Sequence, residues 1–577
     1  MLGDVTAAEV KRIVSESLER GRTPIPQLGD EAVRQRAKEL ARQQGLFERI
    51  ERELAWDKPV PILPRSVYRR FRRIGDRRQY EQALFWREGQ IDLAAMACWL
   101  GLDRLDYLQD LLWAQCEAST WVMPAHERPD SPIDLFAAMT AREYATLARL
   151  LAGQLEPEVS QRLSDEIKRR VLDMYLDPRV EHWWQDCTNN WNAVCHGDIG
   201  LAAMLLETDA RRLAAILIKI LEELPPFLDG FTADGGCTEG PGYWAFGFGW
   251  YVHFAAGLFD FTGGRINIMR GEKLERICRY PLSVTVAPGQ PLAFADVNPS
   301  YLPALTAMQI NRFYPLPELF GLCELLPDGV LRVNDLRTLT AYDGARYAPP
   351  AAWSDACLPE LAVAMIRQAG VTVGAKAGHN DEHHNHNDIG TFVLHRGRTF
   401  FLDDLGAPVY SARTFSPRRY ESVFCNSFGH SVPVVDGAFQ QEGRQSAGTL
   451  AVENPRGRGA KRLVIELAQA YRQPNLASLR RTLELSAGGE LLLADEFAFA
   501  QAPRALEEGF VTLCQAQAVE GDRPCGSTRR PMGHACCAPW TRRGILRWPS
   551  CPRRPKSSAT GRWCGGYVLC RKVWPSA

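Results

Sequence analysis

Four of the chain's 11 histidines fall between His379 and His386, in the stretch HNDEHHNHNDIGTF, and His395 follows closely. Imidazole titrates nearest neutrality of all side chains, so it can carry protons or ligate a metal with little perturbation. Residues two apart on a strand share a face. If HNHND is extended, His384 and His386 project together, with Asn385 and Asn387 opposite. The next segment, FVLHRGRTFFLDDLG, reads as a hairpin turning near Arg396–Gly397 and bringing Asp403–Asp404 back toward the histidines. Further on, NSFGHSVPVVDG offers His430 beside another strand. Two imidazoles and a carboxylate from neighbouring strands make a Zn2+ site, with water or a substrate atom free to complete the tetrahedron. A solvated polar loop would account for any one of these features, but not for their agreement. The ion need not be the catalyst, since it can equally fix strands and orient neighbours. His379 and His383 precede the strand and fit an ordinary solvated loop.

Two earlier stretches also hold reactive residue types. DCTNNWNAVCHGDIG, residues 186–200, sets Asn189, Asn190, Trp191, Asn192 and His196 at what reads as the start of a helix. DGGCTEGPGYWAFGFGWYVHF, residues 234–254, is rich in glycine and aromatics, which suits sugar-ring stacking and close backbone approach. The same aromatics, Trp244, Phe246, Phe248 and Trp250, fit an inter-helix core equally well. Asp234 and Glu239 in this loop would serve as the acid and base of an α/α-toroid glycoside hydrolase, a reading that leaves the histidines idle; a non-catalytic, zinc-stabilised carbohydrate-binding protein is the other alternative.

These residues need elements to position them. From about residue 30 to 350 the pattern is helical: RLDYLQDLLWAQCE places Leu105, Leu108, Leu112 and Cys116 on one face. IDLAAMACWLGL, IGLAAMLLE and RRLAAILIKILEEL are similar, separated by Pro- and Gly-containing breaks. Such a run of helical hairpins predicts a bundle, a solenoid or an α/α toroid. After about residue 360, GTFVLHRGRTFFLDD, SVPVVDG, KRLVIELAQAY and LRRTLELSAGGELLLADEF are short β-type runs, which predict an antiparallel β-sandwich. The expected division is residues 1–355 helical, 356–515 sandwich, and 516–577 an anomalous tail.

That tail holds four Trp, ten Arg and no acidic residue after Asp522, and seven of the 16 cysteines crowd into the final 64 residues. Neither helical nor strand periodicity persists there. A basic nucleic-acid tail would rarely carry so much Trp and Cys; the stretch reads as a translated wrong frame replacing the last sandwich strands, leaving a sheet edge unpaired. The nine earlier cysteines are scattered without CxxC pairs, which suits reduced core thiols.

The 577 residues are too many for one core, and Lys+Arg and Asp+Glu both number 68. Net charge therefore gives no hint of nucleic-acid binding. No window reaches the ~18 apolar residues of a membrane span, so no membrane partner is expected. The N-terminus shows no apolar signal core, which predicts a cytoplasmic protein, with the periplasm as the alternative.

In order along the chain stand WREGQIDLAAMACWL, TWVMPAH, NNWNAVCHG, DGGCTEGPGYW, HNHNDIGTF with FLDDLG, and GHSVPVVDG. Together they resemble the heparinase II/III-like polysaccharide lyases, which include heparin, alginate and oligoalginate lyases; the match runs from about residue 60 to 515. The resemblance implies a multidomain α + β fold, with an N-terminal α/α toroid (an incomplete helical-hairpin barrel) followed by an antiparallel β-sandwich. It implies an acidic, uronate-containing polysaccharide or oligosaccharide as substrate, and it leaves room for a homodimer. The implied reaction is β-elimination. Asn190, with Asn192 beside it, matches the asparagine that binds the uronate carboxylate. Tyr243 matches the general acid, which also serves as base for one sugar epimer, and His384 the second proton-transfer residue. His386, Asp404 and His430 match the ligands of a structural zinc, Asp404 being preferred to Asp403 because the family's aspartate lies two residues before a Gly. His126 is expected to line the cleft, against a buried histidine bonded to backbone. His196, Glu239 and Trp244 complete the expected substrate contacts. Several relatives carry His directly after the asparagine where this chain has Trp191, and His196 is the candidate substitute.

Overall fold

The computed structural model describes residues 5–326, 331–342, 344, 353–457 and 459–514, together with the backbone of two short strands, Ile545–Leu546 and Val568–Pro575. The remainder of the anomalous tail at 516–577 lies outside the described residues.

The N-terminal part is built of antiparallel helical hairpins. Two kinds of helix alternate, and composition decides which is which. The helices Asn190–Leu206 and Gly249–Thr262, and Arg78–Leu100 from Ile91 onward, are apolar or small nearly all round, and every residue from Arg87 to Leu100 is buried. A helix hydrophobic on all sides must be surrounded. Leu105–Cys116, Pro157–Ile167 and Ala210–Glu223 bury a single stripe and lie outside them. In the first of these, Leu108, Leu112 and Cys116 are buried as their spacing predicts. Caps fix where the inner helices begin: Asp134 accepts from Ala137 N–H, and Asn189 from Trp191 N–H. The last inner helix, Val333–Ala341, returns to the first, where Asp92 accepts from Val333 N–H at 3.1 Å and pairs with Arg332. The architecture is the α/α toroid.

The second part is an antiparallel sandwich. One sheet runs in the order Thr399–Leu402, Phe392–Arg396, Val371–Lys376, Val363–Gln368, Ala356–Leu358. The facing sheet contains Leu491–Phe499, Leu476–Leu485, Lys461–Glu466, Gly443–Glu453 and Gly378–Asn380. Between them Ala364, Ile366, Val373, Phe392 and Leu394 meet Leu463, Ile465, Leu479 and Leu483. The alternate residues Val363 and Met365 turn to the other side and join the helical core. One sheet is thus covered on both faces.

Two expectations change. The sheet edge expected to be open is paired, Val568–Pro575 running antiparallel to Ala505–Thr512. HNHND is not a strand: the chain leaves Gly378–Asn380, passes through turns, and becomes extended again only at Phe392. Among the described residues no helix is long and apolar enough to cross a membrane.

Candidate active site and metal centre

Helix starts, loops and sandwich turns converge where the two parts meet. Asn190 opens its helix, and its position is fixed by Glu239, whose carboxylate accepts from Asn190 N–H at 2.9 Å and from Asn190 Nδ2 at 2.8 Å. Gly247 permits the approach of the neighbouring segment, because a Cβ there would lie 2.8 Å from Asn190 Cβ. Asn190 Nδ2 keeps a second hydrogen for a ligand. Burial raises the Glu239 carboxyl, opposed by the nearby His384 and by the two Asn190 donors. The Glu239 oxygen that accepts from Asn190 Nδ2 also lies 3.8 Å from His384 Nε2.

His384 has φ of 60°. This left-handed conformation, not a strand's period, turns its ring to stack on Tyr243 with centroids 3.9 Å apart. His384 Nδ1 lies 2.9 Å from Asp296 Oδ2, and His386 Nε2 lies 2.9 Å from Asp296 Oδ1. Arg419 Nη2 donates to the same Oδ1 at 2.9 Å, balancing the fully buried charge. Burial alone would raise the Asp296 carboxyl, but the bonds from both histidines and the guanidinium outweigh it and hold it well below the usual range. With the carboxylate fixed as acceptor, each histidine donates the nitrogen facing it, which leaves His384 Nε2 toward the cleft.

Tyr410 completes the group. Its hydroxyl donates to Asp296 Oδ2 at 2.9 Å, lies 3.2 Å from His384 Nδ1, and shares a 2.7 Å bond with Tyr243 OH. Burial pushes both phenols above their ordinary pKa, and the Asp296 charge adds to it. Tyr243 therefore holds its proton.

Behind this group, one ligand atom each from His386, Asp404 and His430 lies within 4.8 Å of the others, all buried. His386 Nε2 is committed to Asp296, and its Nδ1 is buried with no partner among the described residues. His430 Nε2 faces the Phe424 carbonyl at 3.2 Å and so carries the hydrogen, while Nδ1 points at Asp404 Oδ2 from 2.9 Å. Three lone pairs converge with no hydrogen between them, which calls for a cation or an added proton. The donor set fits zinc. Gly406, at φ of 64°, lets this loop pack on the Asp296 loop, where a Cβ would stand 2.2 Å from the Val297 carbonyl.

Other expected contacts lie elsewhere. Asn192 Nδ2 donates to the carbonyls of Gln185 and Glu223 at 2.7 and 2.8 Å, and His196 sits fully buried between Tyr175 OH and the Gln185 carbonyl. The helical period explains it: successive residues turn by ~100°, so Asn192 projects roughly opposite Asn190, while His196, four further on, follows Asn192. Trp244 is core, its Nε1 donating to the Ile277 carbonyl. Glu239 supports Asn190 from beneath and is itself buried. His126 is half-buried; its Nδ1 faces Asp134 Oδ2 at 2.8 Å, and its ring meets Trp191 edge-on at 4.8 Å. Trp191 in turn packs on Trp183, which is 37% exposed. Phe415, 55% exposed, meets both Tyr410 and His384 edge-on.

Asp296, Tyr410 and Arg419 were not anticipated from the sequence. Asp296 stands alone in QPLAFADVNPS, 88 residues from His384, and only the fold joins them.

Residues 362–542 match the family described as heparinase II/III-like, C-terminal. A solved heparinase III superposes with a TM-score of 0.57 at 15% identity, covering 77% of this chain and 67% of that one. A further heparinase III gene product gives 0.53 at 14%, covering 85% and 73%. A heparan sulfate lyase HepC mutant from Pedobacter heparinus gives 0.51 at 13%, covering 89% and 78%. At these identities the likeness is one of fold. Among curated proteins nothing matches.

Proposed function

We propose that this chain, which carries a heparinase II/III-like C-terminal domain, is a polysaccharide lyase that cleaves uronate-containing glycans by β-elimination. The observation that carries the reading is the convergence of Asn190, Tyr243 and His384 from two domains. Glu239 lies against both Asn190 and His384, and Tyr243 stacks on His384.

The C5 hydrogen of a uronate is only weakly acidic, so the carboxylate beside it must accept the developing charge. The remaining Asn190 Nδ2 hydrogen is the donor to that carboxylate, an electrostatic role that grows as the aci-carboxylate forms. His384 Nε2, whose ring is fixed by Asp296, takes the C5 proton. The electron pair forms the C4–C5 double bond and the C4–O4 bond breaks. Tyr243 arrives protonated and gives its hydrogen to O4; the proton gained by His384 then leaves to water, and water returns one to Tyr243 through Tyr410, bonded to it at 2.7 Å. His386, Asp404 and His430 would hold zinc, which would supply positive charge fixing the loop behind His384. That role would be structural.

Incubation with heparan sulfate, hyaluronan, alginate and their oligomers tests the reading. The expected result is release of unsaturated, ultraviolet-absorbing uronates, abolished by Tyr243→Phe and by His384→Ala. New reducing ends without the chromophore would mean hydrolysis instead, and full activity in either variant would sink the residue assignment.

A further inference from the structure

Seven arginines stand between Arg65 and Arg78 in RSVYRRFRRIGDRR. The segment folds as two short helices, Arg65–Tyr68 and Arg70–Ile74, ahead of the first long inner helix. A charge run of this kind is ordinarily a solvated face, and its anchoring decides otherwise here.

At one end it is tied to the toroid. Tyr68 OH donates to the Val122 carbonyl at 3.2 Å, and Arg69 pairs with Glu127 at 2.8 Å. Glu127 follows His126, whose ring touches Trp191, the residue after Asn190. At the other end the segment is tied to the sandwich. Ala412 N–H donates to the Gly75 carbonyl at 3.3 Å, and a Cβ at Gly75 would lie 2.9 Å from Ala412 Cβ. Ala412 is two residues from Tyr410, which bonds Tyr243. The segment therefore runs from the wall holding the carboxylate-binding residue to the loop holding the proton relay.

Three of its arginines are spent on acids, Arg69 on Glu127, Arg70 on Asp76 and Arg77 on Glu81. Arg65, Arg72, Arg73 and Arg78 are exposed and have no acidic partner among the described residues. On a chain whose net charge is zero, cationic surface of this density is local.

We infer that Arg65–Arg78 is a strap along the cleft whose free arginines, Arg72 and Arg73 above all, hold acidic groups on the sugars flanking the reacting uronate. This rests on the lyase reading and narrows it: the preferred substrate is an extended polyanionic glycan, in preference to a neutral chain or a single disaccharide. Guanidinium suits the task because its planar fork meets carboxylate and sulfate in two parallel bonds.

The test compares the wild type, Arg72→Ala/Arg73→Ala and Arg72→Lys/Arg73→Lys on the polymer the wild type cleaves best and on the shortest oligosaccharide it cleaves. Retention on immobilised heparan sulfate, with double-stranded DNA and anionic vesicles as comparison polyanions, runs alongside. The alanine pair is expected to raise KM for the polymer about tenfold, with a smaller rise for the oligosaccharide and an unchanged melting temperature. It should elute from the glycan at lower salt, and the lysine pair should recover part of the loss. An unchanged polymer KM would overturn the inference, as would wild-type binding to DNA or vesicles as tight as to glycan. If the wild type releases no unsaturated product, the lyase reading fails by itself, and the retention difference still decides the strap.

Discussion

Asp296 Oδ2 stands 2.9 Å from His384 Nδ1, and the other oxygen of the same carboxylate stands 2.9 Å from His386 Nε2. One buried group therefore sets the hydrogen placement of both the histidine proposed for proton transfer and a metal-ligand candidate. Asp296→Asn keeps the size and offers a donor where His384 needs an acceptor. It should lower kcat about a hundredfold while changing KM little, as steady-state rates on a uronate polymer would show. Combining it with His384→Ala should cost little more than His384→Ala alone, because the two act as a unit.

Tyr410→Phe removes the hydroxyl between Tyr243 and Asp296 while leaving the ring against Phe415. A relay role predicts a fall in kcat of about tenfold, less than Tyr243→Phe, since Tyr243 then has only water to restore its proton. Equal losses in the two variants would mean that Tyr410 itself delivers the proton.

Gly247→Ala puts a methyl 2.8 Å from Asn190 Cβ. The helix start must yield, and a displacement near 1 Å at a positioning residue costs roughly a hundredfold in rate. The expected signature is lost activity, with the melting temperature falling by only a few degrees; a crystal structure of the variant would show Asn190 moved off Glu239.

Metal analysis of the purified protein should find about one zinc per chain. Chelation should lower the melting temperature, because His386 Nδ1, Asp404 and His430 are then left converging without a cation. His430→Ala should remove the zinc and make melting insensitive to chelator. A melting temperature unmoved by chelation, with no zinc found, would exclude the site.

The toroid interior gives a pH dependence. Burial and the neighbouring Glu143 push the Glu88 carboxyl from its ordinary 4.5 up to about 8. The folded state then binds a proton that the unfolded chain has released, so the contribution is fully present below pH 4.5 and is lost as pH rises to about 8. Asp92, one turn on, shifts in the same direction. Denaturation between pH 5 and 8 should show stability falling with pH, and Glu88→Gln should flatten that slope.

The sequence made the helices legible through their 3.6-residue period, and the sandwich through short runs parted by turns. Asn190, Tyr243 and His384 were legible only as matches to motifs; nothing local says that they meet. The readings that changed did so for identifiable reasons. Asn192 was expected with Asn190 from the motif match and His196 as a substitute for the family's histidine, whereas the helix turns both inward, onto the carbonyl of Gln185. The HxH spacing suggested a strand, yet His384 reaches the cleft through a left-handed backbone that no pattern announces. Asp296 had no signature, because a lone aspartate in a loop looks like any turn residue until His384, His386, Tyr410 and Arg419 close around it.

The strand Val363–Gln368 serves as the wall of two cores, with Val363 and Met365 packed into the helices and Ala364 and Ile366 into the sandwich. Neither half can melt without stripping that wall from the other. Heating should therefore give a single cooperative transition, and either half produced by itself should behave as an aggregating fragment with one face of a sheet, or the rim of a helical ring, exposed to water.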